Sequence, residues 1–227
     1  MPARELSPWD AQGVAERIDG YWRSSTTEAV HVAALGDLCA RRLTSRRLRV
    51  VEVGCGTGRI YEQLVPRLLP ESGYTGVDLS GRMLAMARRR WPAARFVRCD
   101  GRVLALADDA VDYALAFEVI GHLDEPRPLL AELGRVGRLG FMFTVWPATE
   151  EEGVRDGRES VGASEFLHRR YPASWMAAEI EAALPGRSFG IEIAATNTGT
   201  WAYLVARRSG PPGVTMPRRM PAAGPPG

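Results

Sequence analysis

Arg49-Val50-Val51-Glu52-Val53-Gly54-Cys55-Gly56-Thr57-Gly58-Arg59 decides how the chain is read. A short apolar run ending in glycines reads as a buried parallel strand that feeds a tight turn and then a helix. Gly54, Gly56 and Gly58 let backbone come close to a bound molecule, because no Cβ intervenes and positive φ costs little. The helix that follows aims its unpaired N–H groups and positive dipole end at the same spot. Arg59 stands where the fingerprint G-x-G-x-x-G needs its third glycine, so the spacing speaks against a nicotinamide dinucleotide. Downstream, Tyr74-Thr75-Gly76-Val77-Asp78-Leu79-Ser80 reads as a second strand whose closing carboxylate, Asp78, can accept two hydrogen bonds from a ribose diol.

With these residues in place the chain resembles a class I S-adenosylmethionine-dependent methyltransferase of the small-molecule type, over roughly residues 45 to 206. In that family the glycine turn underlies the methionine part of the cofactor, the acid ending strand two holds the ribose, and an acid after strand three addresses the adenine. The resemblance carries those roles to Glu52, Gly54, Cys55, Gly56 and Gly58, to Asp78 with Leu79 and Met83, and to Asp100 with Gly101. It adds Phe117 and Tyr21 as further cofactor contacts. A plainer reading stands beside it, with Glu52 a solvated strand residue and Asp100 a turn former next to Gly101. The cofactor implied is S-adenosyl-L-methionine and the product S-adenosyl-L-homocysteine. The fold implied is α/β: a Rossmann-like, seven-stranded, mostly parallel sheet with an antiparallel last strand, helices on both faces and an N-terminal helical cap.

At 227 residues and 45% apolar content, the chain can bury one full core. Residues 1–45 read as the helical cap, 46–206 as the cofactor-binding domain with a lid insertion at 147–172, and 207–227 as a disordered Pro/Gly-rich tail. A net charge of +2 is too small to argue for nucleic acid. All 29 basic residues are arginine, which speaks of coding bias rather than mechanism. Cys39, Cys55 and Cys99 lack metal-ligand spacing, so no metal is expected, and an odd count without a leader segment suits a reducing cytoplasm. No run approaches the length a membrane span requires, so no membrane partner is expected.

Trp9, Val14, Ile18 and Trp22 fall on one helical stripe, and Ser25-Thr26-Thr27-Glu28 reads as a capping box opening a second helix to Arg42. By the resemblance this helix pair covers the cofactor, which makes Tyr21 and Trp22 pocket candidates; the bland alternative is that they are core. Residues 58–69 fit a helix stopped by Pro70, and Ser80 caps the next helix. Arg88, Arg89 and Arg90 with Arg95 and Arg98 read as a solvated rim, since no aromatic platform interleaves with them.

Residues 111–117 read as strand four, and Glu118-Val119-Ile120-Gly121-His122-Leu123 lies at its C-terminal end, where open α/β sheets bind ligands. His122 is the first candidate for a general base or an acceptor-orienting group, against the alternative that it only bonds a backbone carbonyl. Residues 141–145 read as strand five. The polar, glycine-punctuated stretch after Trp146-Pro147 reads as a lid. His168, Arg169 and Tyr171 at its end are alternatives for acid/base or anion-binding work. Ser174 is expected to cap a helix, and residues 188–195 and 200–206 to form a closing hairpin through Asn197-Thr198-Gly199.

The function expected is methyl transfer to an oxygen or nitrogen of a small molecule, by analogy in a biosynthetic pathway. The alternative is a protein of the same fold that binds S-adenosylmethionine without transferring methyl. Methylation of nucleic acid lacks the Asn-Pro-Pro-aromatic tetrapeptide that amino-methylating relatives carry after strand four. Oligomeric state is open, a homodimer included.

Overall fold

The computed structural model describes residues 8–43, 47–64, 66, 73–196 and 199–208. β1 (Arg49–Val53) is paired in parallel with β2 (Gly73–Asp78) on one side and β4 (Val111–Ala116) on the other. β3 (Arg95–Arg98) flanks β2, and β5 (Gly137–Pro147) flanks β4, both in parallel. The chain thus winds outward in both directions from β1, which places the topological switch point between β1 and β4. β9 (Trp201–Arg207) runs antiparallel to β5, and β8 (Phe189–Ala195) antiparallel to β9. These seven strands are the expected sheet with its antiparallel ending.

Two further strands bring the sheet to nine among the described residues. The expected irregular lid is instead a β-hairpin of β6 (Arg155–Val161) and β7 (Ser164–Tyr171), antiparallel over its whole length. It joins the sheet only where Trp146 pairs with Arg170 and Pro147 with Tyr171. β6 carries mostly exposed polar side chains, so no apolar alternation announces it.

The pleat sorts the core onto two faces. Val51, Ala114, Phe141 and Phe143 face α5 (Arg127–Val136) and α6 (Ala173–Ala183). Val50, Leu115 and Met142 face α2 (Thr26–Leu43), α3 (Arg59–Leu64) and α4 (Gly81–Arg90). α1 (Val14–Ser24) is shorter than the stripe suggests, because Gly13 takes φ 76 and Trp9 stands apart in a 3₁₀ turn over Pro8–Asp10. Ser25 receives the Glu28 N–H at 3.2 Å and Ser80 the Met83 N–H at 3.1 Å, so both are caps. Ser174 is not a cap: it lies inside α6, with its N–H and hydroxyl both donated to the Glu150 carboxylate. Pro70, Asn197, Thr198 and the tail from residue 209 lie outside the described residues. No helix among those described is long and apolar enough to cross a membrane.

Candidate functional site

The C-terminal ends of β1, β2 and β4 open onto a cavity of about 970 Å³. Its floor is made of backbone turns. Gly54 takes φ 70 and lies so close to Val119 that a Cβ would stand 2.3 Å from that side chain, so only glycine fits. Gly56, at φ 52, donates its N–H to Asp78 Oδ2 at 2.8 Å, while Ser80 N–H reaches Oδ1 at 2.8 Å. Burial raises the pKa of Asp78, and these two N–H bonds oppose the rise. Each Asp78 oxygen keeps a second lone pair, which is what a ribose diol needs. Leu79, Met83 and Gly101 line the next stretch of cavity, and Asp100 follows, clasped by Arg102 at 2.7 Å. Phe117 and Tyr21 also line it, Tyr21 with 59% of its surface exposed.

Five expected site residues are elsewhere. The pleat puts Glu52 on the same face as Val50, where it is 2% exposed and accepts the Tyr74 hydroxyl; burial raises its pKa to about 7. It is neither solvated nor at the cavity. Cys55 is buried beneath the turn against Gly76, and its thiol is pushed up by burial. Gly58 shapes the turn at φ 82 and packs against Trp91 and Phe96. Tyr171 is fully buried, donates to Ile120 O at 3.3 Å and has its pKa pushed up to about 12 by burial, so it is a strut under the loop after β4. Arg169 is also committed to structure, through Asp156 at 2.8 Å and Asp124 O at 2.6 Å.

The roof is built from distant segments. Trp9 stacks at 4.1 Å on Phe166 of the hairpin, and the His122 ring sits edge-on between Trp9 at 5.0 Å and Trp146 at 5.1 Å. Gly121 makes room for that indole, since a Cβ there would meet it at 2.3 Å. His168 lies against Trp146 at 3.8 Å, and both histidines line the cavity. His122 Nδ1 is 2.6 Å from Leu167 O, and a carbonyl only accepts, so the neutral ring carries its proton on Nδ1 and leaves Nε2 bare. Burial lowers the pKa of both rings. The backbone-bonding and base readings of His122 are therefore compatible, because the carbonyl bond fixes the tautomer a base requires.

Two buried carboxylates hold the N-terminal elements over the floor. Asp10 meets Arg98 at 2.5 Å and the Ser80 hydroxyl at 2.9 Å. Asp19 accepts the Thr57 hydroxyl at 2.6 Å and Arg90 at 2.9 Å; burial works against its ionisation, and the bonds from Arg90 and Thr57 more than offset that, lowering its pKa. Neither role is visible in sequence, because the partners are some 40 to 90 residues away. Glu118 and His31 were also beyond sequence reach. Glu118, at φ 56, donates its N–H to Thr144 Oγ1 at 2.8 Å. Its Oε1 accepts the Thr144 hydroxyl at 2.8 Å and lies 3.1 Å from His31 Nε2.

The residues on the floor fit S-adenosylmethionine: a ribose acceptor, an apolar slot for a flat base and a glycine turn lie in sequence along one cavity. A family model described as a methyltransferase domain matches residues 50–140. An O-methyltransferase of Pyrenophora dematioidea is 26% identical over 60% of this chain and 55% of its own length. A trans-aconitate 2-methyltransferase of Methylobacterium nodulans is 39% identical over 57% of this chain and 46% of its own. The chain thus spans about half the length of these curated relatives. The solved S-adenosylmethionine-dependent methyltransferase of Clostridium acetobutylicum superposes with a TM-score of 0.61 over 86% of this chain and 98% of that one, at 14% identity, a likeness of fold. The matched segment makes residues 50–140 similar to a methyltransferase domain, and the strand order and glycine turn are those of the class I S-adenosylmethionine-dependent methyltransferase fold.

Proposed function

We propose that the protein transfers the methyl group of S-adenosylmethionine to an oxygen or nitrogen of a small molecule. One observation carries the reading: a single cavity runs from the Asp78 floor to the His122 and Trp146 wall, large enough for the cofactor and a modest acceptor side by side. The names of the relatives support a small-molecule acceptor. When bound, the cofactor supplies a methyl already activated on a sulfonium. What remains for the chain is to fix donor and acceptor in line and exclude water, which is worth effective molarities of roughly 10⁵ to 10⁸ M. The roof of Trp9, Phe166 and Trp146 excludes water, and His122 Nε2 can take a proton from a hydroxyl acceptor.

Floor residues Gly54, Gly56, Asp78, Leu79, Met83, Asp100 and Gly101 bind the cofactor in this reading, with Phe117 and Tyr21 beside it. His122 and His168 serve the acceptor. Calorimetry with S-adenosylhomocysteine, followed by mass spectrometry of an acceptor mixture for a methylated product released with that molecule, tests the proposal. Absence of binding removes the cofactor role. Tight binding without any methylated product leaves a cofactor-binding fold that does other work.

A further inference from the structure

Among the described residues, the cavity is lined by eight carboxylate residues against two arginines, a bias far from the chain's overall charge of +2. One of the arginines, Arg102, is already committed to Asp100 at the cofactor end. Of the other acids, Asp124 and Glu125 follow His122 in the chain, Glu159 and Glu165 come from the hairpin, and Glu118 stands just before the His122 loop. Glu165 faces Arg158 at 3.8 Å in an exposed pair, an interaction of little strength. The walls between these acids are the aromatic rings of Trp9, Trp146 and Phe166.

Glu118 is the best organised of the group. Non-glycine backbone at φ 56 is held by a reciprocal pair of bonds with Thr144, and His31 fixes Oε1 from the side of α2. Both side-chain bonds end on Oε1, and Oε2 takes part in neither of them. A preset carboxylate oxygen in a cavity walled by aromatic faces and other acids is an arrangement that stabilises cations, through Coulomb attraction and the ring quadrupoles. The two histidines lining the cavity do not counter it, since burial keeps them neutral more readily than charged.

We infer that the acceptor is a small basic amine and that Glu118 is the residue that selects and orients its ammonium group. This rests on the methyl-transfer reading and narrows it to nitrogen. Glu118 takes a proton from the ammonium, so an N–H bond breaks and an O–H bond forms. The freed lone pair makes the N–CH₃ bond as the S–CH₃ bond breaks, with that bond's electron pair staying on sulfur. Cationic acceptor and sulfonium plus carboxylate become a methylated ammonium, S-adenosylhomocysteine and a neutral carboxylic acid, which returns its proton to solvent.

The full chain, loaded with S-adenosylhomocysteine, is titrated with three probes of one skeleton: tyramine, tyrosol and 4-hydroxyphenylacetate. Tryptophan fluorescence reports on Trp9 and Trp146. Tyramine is expected to bind about tenfold more tightly than tyrosol, and the anion more weakly still. Glu118→Gln, an isostere that keeps an acceptor for Thr144, is expected to erase the preference for tyramine over tyrosol while S-adenosylhomocysteine affinity and melting temperature hold. Glu159→Gln, on the exposed hairpin, is expected to reduce the preference about twofold. A preference for the anion, no tyramine signal at all, or an unchanged preference in Glu118→Gln overturns the inference. Failure of S-adenosylhomocysteine to bind is a separate result, and it counts against the parent reading.

Discussion

The floor and the roof of the cavity are made in different ways. The floor is a strand, a glycine turn and a second strand, with Gly54, Gly56 and Asp78 within 25 residues of one another and backbone N–H groups doing much of the holding. The roof is an assembly of side chains from the 3₁₀ turn at Trp9, the His122 loop, the end of β5 and the added hairpin. A floor built from local backbone geometry tolerates one ligand, whereas a roof built from remote side chains can be recomposed piece by piece. The difference predicts that damage to the floor abolishes cofactor binding, and that damage to the roof spares it.

The largest effect is expected from Asp78→Ala, which removes the proposed ribose acceptor and orphans the Gly56 and Ser80 N–H groups. S-adenosylhomocysteine affinity, read by calorimetry, should fall near a thousandfold, about 4 kcal/mol. A loss of less than tenfold would place the ribose elsewhere. Asp19→Ala comes next, because it strands Arg90 and Thr57 beneath α1. Thermal unfolding should show a loss of about 3 kcal/mol. Unaltered stability there would mean that the N-terminal elements rest on the floor by apolar packing alone. His122→Asn should lower kcat on the order of 10²-fold through lost orientation, with S-adenosylhomocysteine affinity held within about twofold. A matching loss of affinity would erase the boundary between floor and roof.

The two weakest effects are in pH dependence and have opposite signs. Glu52 has a folded pKa of about 7, above its unfolded value, so its contribution is fully present below the unfolded value and is lost as pH rises through about 7. Glu52→Gln should therefore gain on wild type, on the order of 2 kcal/mol, between about pH 5 and about pH 8, without changing cofactor affinity. A fall in affinity would return Glu52 to the floor. His122 is shifted the other way: burial makes the folded ring refuse a proton that the unfolded ring binds below about pH 6.5, so stability falls with pH in that window. His122→Asn should flatten this acid-side loss in melting curves.

The same division explains what the sequence discloses. The parallel strands are legible because apolar runs end in glycine or aspartate, and strand parity could have moved Glu52 off the cavity, since it shares the face of Val50. The hairpin was hidden because Arg155–Val161 is polar on both sides, so no alternation distinguishes strand from loop. Tyr171 read as reactive only because tyrosine beside arginine and histidine resembles a site; its burial under Ile120 depends on β7 joining β5. Glu118 carried no local signal either, for its standing depends on Thr144, which lies 26 residues on, and on His31, 87 residues before it.

The hairpin's attachment has one more consequence. β7 is fastened to the sheet at its last two residues, while its far end, at the exposed Gly162 and Ala163, rests near Arg17 of α1. A cantilever anchored at one end can be lengthened at the other without disturbing its mounting, and exposed tips are where chains accept insertions most readily. New residues grafted at Gly162 would extend the reach over the acceptor and leave the donor's berth untouched, which makes that tip the place to begin retargeting this scaffold.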